Sequence, residues 1–429
     1  MSSGALVVRL RRGIMELLMG KVARASFWLV AANVVGGIFG YAYQVVMGRM
    51  LTPAEYGLFG AAIAVISLLS APLSTLMMIL SRRVSEYRAV DNFDVLKRSY
   101  FSVNFRVAIV ALIGIAVLTL FHRELADYLK APSSAVVYVL AGVVLISVFP
   151  VINNAYLQGL QNFKWFALSG GVAHPLKLVF SAALIAMGLG VEGALAGIAM
   201  SLLVAWMITY APLRAQLSHA TGSIADVHRM DFSWRSAVPV LIANVAFTAM
   251  TQLDMVLVNH YFPPVEAGLY AAASVLGKAV MYLPAGIALA LFPLIAEKHA
   301  RDESGAALFV QAVVLTAGLC LIGALFYLIW GREIVALFYG QAYVEAGEVL
   351  RYFGFAMLPM ALVMVAEYFL IAKGKVMFAY LFMIAAPVEV LAIAYFHDSL
   401  LQVVLVLGMG GAAMTLVGYG LLLNTYRRG

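Results

Sequence analysis

The sequence predicts an all-α membrane protein, with twelve transmembrane helices in two pseudo-symmetric six-helix bundles around a central cleft. Three observations predict it. Hydrophobic residues fill 64% of the 429 positions, only 11% are charged and the mean hydropathy is +0.96, which exceeds what a water-soluble core of this length buries. Uncharged runs such as Val107 to Phe121 and Val136 to Ile152 recur along the chain, and a bilayer tolerates them best as hydrogen-bonded helices. Finally, the first half of the chain repeats in the second.

At about twenty residues per crossing, spans fall near 25–48, 55–80, 100–121, 134–158, 164–188 and 191–213. A polar linker, 214–235, separates these from spans near 236–262, 266–296, 306–330, 346–371, 375–396 and 400–424. The expected organisation is an N-terminal segment 1–24, a first bundle 25–213, the linker, and a second bundle 236–429. In the N-terminal segment Arg9, Arg11 and Arg12 interrupt the apolar residues of Ala5 to Met19. It reads as a basic amphipathic helix on the inner leaflet rather than a secretory signal. Of the 28 Lys and Arg residues, twenty fall in loops on one side and five on the other, while Arg106, Lys177 and Lys278 lie at membrane depth. Cytoplasmic loops retain positive charge, so both termini and the linker are expected in the cytoplasm, with the chain in the cell inner membrane. The net charge of +7 then reflects topology and anionic headgroups, not a nucleic-acid partner.

The repeat has an offset of 211 residues. Ala32-Asn33-Val34 matches Ala243-Asn244-Val245, Val45 matches Val256, and Pro53, Glu55, Gly57 and Leu58 match Pro264, Glu266, Gly268 and Leu269. Ala61 and Ala62 fall on Ala272 and Ala273, and Pro175 meets Pro387 at an offset of 212. Each half holds six crossings and begins on the same side, so the repeats are parallel and related by an axis along the membrane normal. In the shared turn, proline fixes φ where the second helix of each half begins, and the glutamate sits where a helix N-terminus favours negative charge.

From Asn33 to Ala89 the chain resembles the polysaccharide and oligosaccharide (O-antigen-type) flippases of the multidrug/oligosaccharidyl-lipid/polysaccharide exporter superfamily. The motifs are Gly48-Arg49-Met50-Leu51-Thr52-Pro53-Ala54-Glu55-Tyr56-Gly57-Leu58-Phe59, the helix end at Ser81-Arg82-Arg83, and the turn Tyr156-Leu157-Gln158-Gly159-Leu160-Gln161-Asn162-Phe163. The resemblance implies a V-shaped cleft and alternating access for an undecaprenyl-diphosphate-linked oligosaccharide. It also implies a role in surface polysaccharide assembly, such as lipopolysaccharide or exopolysaccharide, beside polymerase and glycosyltransferase machinery. Membrane lipids and a coupling H⁺ or Na⁺ are further expected partners, and no cofactor is expected.

Ionisable groups within spans cost about 2.5–3.5 kcal/mol each on insertion scales and so face a bundle interior or cavity. Lys278 lies about a dozen residues into the eighth span and is the first candidate to hold a diphosphate; pairing with a carboxylate is the structural alternative. Lys177 and Glu389 are pseudo-equivalent at the 212 offset, and they either pair or divide the work, with Lys177 binding anionic sugar and Glu389 a coupling ion. His174 lies one turn before Lys177. Asp254, near Gln252 and Asn244, and Glu367 are the remaining ion-coupling candidates. Asn33 and Asn244 read as helix-packing amides. Arg49 at the cleft mouth, and Arg82 and Arg106 at the basic inner mouth, complete the candidate substrate-binding set, against the simpler reading of headgroup anchors.

No Gly-rich phosphate loop, HExxH pair or CxxC occurs, and the single cysteine, Cys320, sits in an apolar stretch, so neither an ATP-driven pump, a metal centre nor an enzyme is expected. Two alternatives stay open. A membrane-embedded glycan polymerase or ligase needs a sizeable outer loop with catalytic Arg or His, and the outer loops are short. An ion-coupled drug or small-molecule exporter of the same superfamily shares the architecture, but a cleft for cations should be acidic, against Lys177 and Lys278.

Overall fold

The computed structural model describes residues 32–218, 234–282, 306–372 and 377–427, together with Trp28, Val30, Pro284 and Ile287. The amphipathic segment 1–24, most of the 214–235 linker, and Lys298, Arg301, Lys373 and Lys375 of the charge count lie outside these residues. Twelve long helices carry the described chain: α1 (32–50), α2 (Pro53–Ala89), α3 (Phe93–Leu120), α4 (Ala135–Gly159), α5 (Phe163–Leu184), α6 (Gly190–Leu217), α7 (Trp234–Tyr261), α8 (Pro264–Tyr282), α9 (Ala306–Tyr339), α10 (Ala346–Ala372), α11 (Met377–Tyr395) and α12 (Leu400–Arg427). No strand occurs among the described residues. The all-α fold predicted by the sequence is the fold observed.

Local sequence explains the turns. Thr52 caps α2 by accepting from the Glu55 backbone N–H at 3.3 Å, while Glu55 Oε2 accepts from the Thr52 N–H at 2.8 Å. With Pro53 at the first helical position, this capping box satisfies two otherwise orphaned donors. The α2–α3 and α4–α5 turns share a second solution, in which Asp91 and Gln161 adopt φ of 52° and 56° ahead of Asn92-Phe93 and Asn162-Phe163. Between α5 and α6 a π-turn, Ile185–Leu189, ends on two glycines with positive φ, Gly188 and Gly190, a conformation that L side chains resist.

Several helices outrun the apolar spans. The sequence reading ended the second span near residue 80 and began the third near 100, yet α2 continues to Ala89 and α3 starts at Phe93. Hydropathy reports only the lipid-buried part of a helix, and the charged residues of these ends sustain it in water, where Arg82 and Arg83 pair with Glu86 at 3.0 and 2.8 Å. Likewise α9 reaches Tyr339 past a kink at Trp330. A short helix, His122–Tyr128, fills part of the α3–α4 loop.

α2 is the central helix, packing on α4, α7 and α8. α5 lies on α6, α9 on α10, α10 also on α12 and α8, and α11 on α7. Small residues set these distances: the alanines Ala61, Ala62 and Ala271 to Ala273 are essentially fully buried, since close backbone approach is what membrane helices gain by packing. The repeat meets itself at one point. A Cβ on Gly57 would lie 2.8 Å from the backbone N of Gly268, and one on Gly268 would collide with the carbonyl of Pro53. The equivalent glycines of the two halves therefore touch across the pseudo-twofold, at the turns joining α1 to α2 and α7 to α8.

Candidate functional site

A cavity of about 320 Å³ lies between the halves. Gly36, Gly37 and Gly40 of α1 and Gly60 of α2 line one wall, and Gln252 and Met255 of α7 with Ser274 and Lys278 of α8 line the other. Tyr41, Gln44, Tyr56, Ser67 and Tyr282 add hydroxyl and amide groups. Glycine on α1 leaves the space open: Gly37 and Gly40 have nothing within reach of a Cβ. Among the lining residues Lys278 is the one charged side chain.

Lys278 does not stand free. Its Nζ donates to both oxygens of Asp254, at 2.9 and 2.8 Å, and the Tyr270 hydroxyl donates to Asp254 Oδ2 at 2.7 Å. The Asp254 side chain is fully buried, while Lys278 keeps 12% of its side chain exposed. The aspartate therefore forms the floor of the arrangement and the ammonium is the part that reaches the cavity. Glu389 on α11 lies within electrostatic range of both.

One end of the cavity is closed by contacts between the halves, all at the side carrying the α1–α2 turn. Arg49 donates through Nε and Nη2 to the carbonyls of Phe338 and Leu337 at the end of α9, the first at 2.7 Å. The Tyr56 and Tyr339 hydroxyls meet at 3.2 Å, and both rings pack with Tyr343. Gly48 makes room for the Tyr339 ring, which a Cβ there would strike. Lys130 Nζ donates to the carbonyl of Phe262 at 2.8 Å, and Asn259 Nδ2 to that of Leu129 at 2.6 Å. The ring of His260 stacks on Tyr128 at 4.0 Å.

The other sequence candidates are placed elsewhere. Lys177 lies over the Tyr43 ring at 4.2 Å, a cation–π contact within the first half. It makes no ion pair with Glu389, although the pseudo-equivalent positions hold opposite charges. His174 packs close to Gly36 of α1. Arg49 serves the closed side rather than the cavity wall. Arg82 is exposed and paired with Glu86. Arg106 is exposed midway along α3, beside the exposed Phe105 and Val110, because α3 is peripheral and uses its other face on α4. Glu367 is half-buried on α10 and does not line the cavity. Asn244 donates to Thr75 of α2 at 2.8 Å, joining the halves. The tyrosines Tyr41, Tyr56, Tyr270 and Tyr282 were missed. Tyr41, Tyr56 and Tyr282 line the cavity and Tyr270 sits behind it on Asp254, a division the sequence carries no signal for.

The family model described as "Polysaccharide biosynthesis protein" matches residues 22–299, and the MatE model matches residues 239–396. No curated protein is similar enough in sequence to count as a match. Among solved structures, an inward-facing multidrug resistance MATE family transporter of the MOP superfamily superposes with a TM-score of 0.72 at 15% identity, covering 94% of this chain and 98% of that one. The lipid II flippase MurJ in an inward closed conformation gives 0.71 at 13% identity, covering 92% and 87%. An outward-facing MATE family transporter gives 0.62 at 18% identity, covering 96% and 97%.

Proposed function

Because the chain belongs to the polysaccharide biosynthesis protein family and has the fold of membrane transporters, we propose that it is a secondary transporter of a lipid-linked, diphosphate-bearing oligosaccharide. It moves this substrate from the inner to the outer leaflet by alternating access between its halves. The observation that carries the reading is the Lys278 ammonium, the one charged group on the wall of a cavity whose other lining residues are hydroxyl, amide, glycine and apolar side chains. Although paired with Asp254, the ammonium keeps part of its side chain exposed to the cavity and offers a charge-assisted donor to a phosphate oxygen, while Gln44, Ser67, Gln252 and Ser274 suit sugar hydroxyls. The biased Lys and Arg count makes the closed side the outer one, with both termini cytoplasmic and the chain in the inner membrane. The structure then represents a state open to the cytoplasm, in keeping with its better superposition on the inward-facing transporter than on the outward-facing one. Arg49 belongs to the outer closure, and Arg82 and Arg106 meet anionic headgroups, while Lys177, seated on Tyr43, does not line the central cavity. Asp254, Glu389 and Glu367 are the carboxylates available to a coupling proton or sodium.

A small-molecule exporter of the same superfamily is the second reading, favoured by the MatE match over 239–396. One experiment separates the two. In a strain lacking the native gene, surface glycan is measured and normalised to the amount of protein in the membrane. The double variant Asp254→Asn/Lys278→Gln removes both charges together, so that neither is stranded. The flippase reading expects normal abundance and a loss of surface glycan of at least tenfold. Full surface glycan at normal abundance would remove Lys278 from substrate contact and leave the exporter reading.

A further inference from the structure

A second cavity, of about 750 Å³, opens on the outside of the second half between α11 and α12. Its rim is apolar and faces the lipid: Ile384, Val388, Leu405, Met409 and Val417 are each about half or more exposed. In the first half the corresponding seam is shut, because Gly197 of α6 packs so closely on Ser181 of α5 that a Cβ would collide with it. At the offset of 212, Met409 stands where Gly197 stands, and the two helices do not close on one another there.

The floor of this groove is a carboxylate. Glu389 is 5% exposed, and its Oε2 accepts no hydrogen bond among the described residues. A Cβ on Gly410 would lie 2.8 Å from that oxygen, so glycine on α12 is what lets the helix pass this close to the carboxylate. A buried polar atom without a partner is costly in an apolar medium. The charges count the same way. The groups facing Glu389 are Asp254 on α7 and Lys278 on α8, with Tyr270 of α8 also in its field. Lys278 is committed to Asp254, so one carboxylate is left without a counter-charge.

We propose that this groove is a binding site for a membrane-partitioned organic ammonium, a protonated amine on an alkyl or aromatic body, whose N–H donates to the Glu389 carboxylate. The volume lies in the range of sites for drug-sized ligands, and an apolar wall with one anionic acceptor matches an amphiphile with one cationic donor. An inorganic cation is a poorer fit, since it needs several oxygen ligands and the groove offers Glu389 and, at its far end, Gln402. An acyl chain fills the space but leaves Oε2 unbonded. The site is separate from the central cavity and does not rest on the flippase reading.

The test uses the full-length protein in lipid nanodiscs, with empty nanodiscs to subtract partitioning. Radiolabelled N,N-dimethyldodecylamine, protonated at neutral pH, is compared with its quaternary analogue dodecyltrimethylammonium, which has no N–H. Saturable binding near one per protein is expected for the protonated amine and binding at least tenfold weaker for the quaternary ion. Glu389→Gln should weaken the amine at least tenfold. Ala413→Trp, which fills the groove from α12 and leaves the carboxylate intact, should abolish binding and keep the proposal testable if the glutamine variant folds poorly. Absence of saturable binding, equal binding of the two probes, or unchanged binding in Ala413→Trp would each overturn it; equal binding of the probes would make the groove a seat for alkyl chains.

Discussion

Replacing Lys278 by Ala is expected to lower stability before it touches transport. The lysine donates to both oxygens of Asp254, and after its removal the Tyr270 hydroxyl is the one donor left on a fully buried carboxylate. Breaking a buried pair by deleting one partner costs about 3–5 kcal/mol, because the survivor is left charged or must take up a proton. At about 1.4 kcal/mol per decade, that is a hundredfold to a few thousandfold in the folding equilibrium. Asp254→Asn alone strands the ammonium, but with 12% of the side chain exposed to the cavity the lysine retains some solvent, so its penalty should fall at the low end. The double variant Asp254→Asn/Lys278→Gln replaces the ion pair by two amides and should recover most of the loss, giving a coupling energy of at least about 2 kcal/mol in the cycle. Thermal melting of the purified variants in one detergent, with membrane abundance alongside, provides the measurement. Additive losses, or a Lys278→Ala variant as stable as wild type, would refute the ion pair as a structural element.

Other outcomes follow from the geometry. Gly268→Val places a side chain against the Pro53 carbonyl and should force the closed side apart, raising labelling of a cysteine introduced at Gln44 by a reagent added from that side; unchanged labelling counts against the glycine contact as part of the closure. Arg49→Ala deletes two charge-assisted bonds to the end of α9, about 1.5–3 kcal/mol each where buried and less at this exposed position, and should raise the same labelling more modestly. Asn153→Leu leaves the Tyr100 and Thr209 hydroxyls without the amide they bond at 2.8 and 2.9 Å and should cost about 2–4 kcal/mol in melting. A cysteine at Ser223 should react only with reagent that reaches the cytoplasm; labelling from outside intact cells would invert the topology.

The all-α fold and the number of helices were legible because a bilayer imposes length and apolarity on each crossing. Azimuth was not legible. Depth alone does not tell which of its neighbours Lys278 faces, nor that Lys177 rests on Tyr43, since a helix in an apolar environment has no polar face to orient it. Arg106 shows the same limit, for its position on a peripheral helix turns it away from the cavity. The capping box at Thr52 was half visible as a proline and a glutamate, and the threonine completes it. Glu389 is an ion-coupling candidate in the sequence, but the groove beside it is not legible there, because the contrast with the closed α5–α6 seam rests on the packing of Gly197 against Ser181.

The contact of Gly57 with Gly268 has the form of an isologous interface, in which one patch meets its own copy across a twofold axis. Inside a single chain this means that two separate codons supply a surface that in a homodimer would come from one. A dimer must accept the same change on both sides at once, whereas here either turn can vary while the other is held. The departures from symmetry, a capping threonine on one side and a proline on the other, opposite charges at positions 177 and 389, and a sealed seam facing an open groove, are changes that a true dimer could not make.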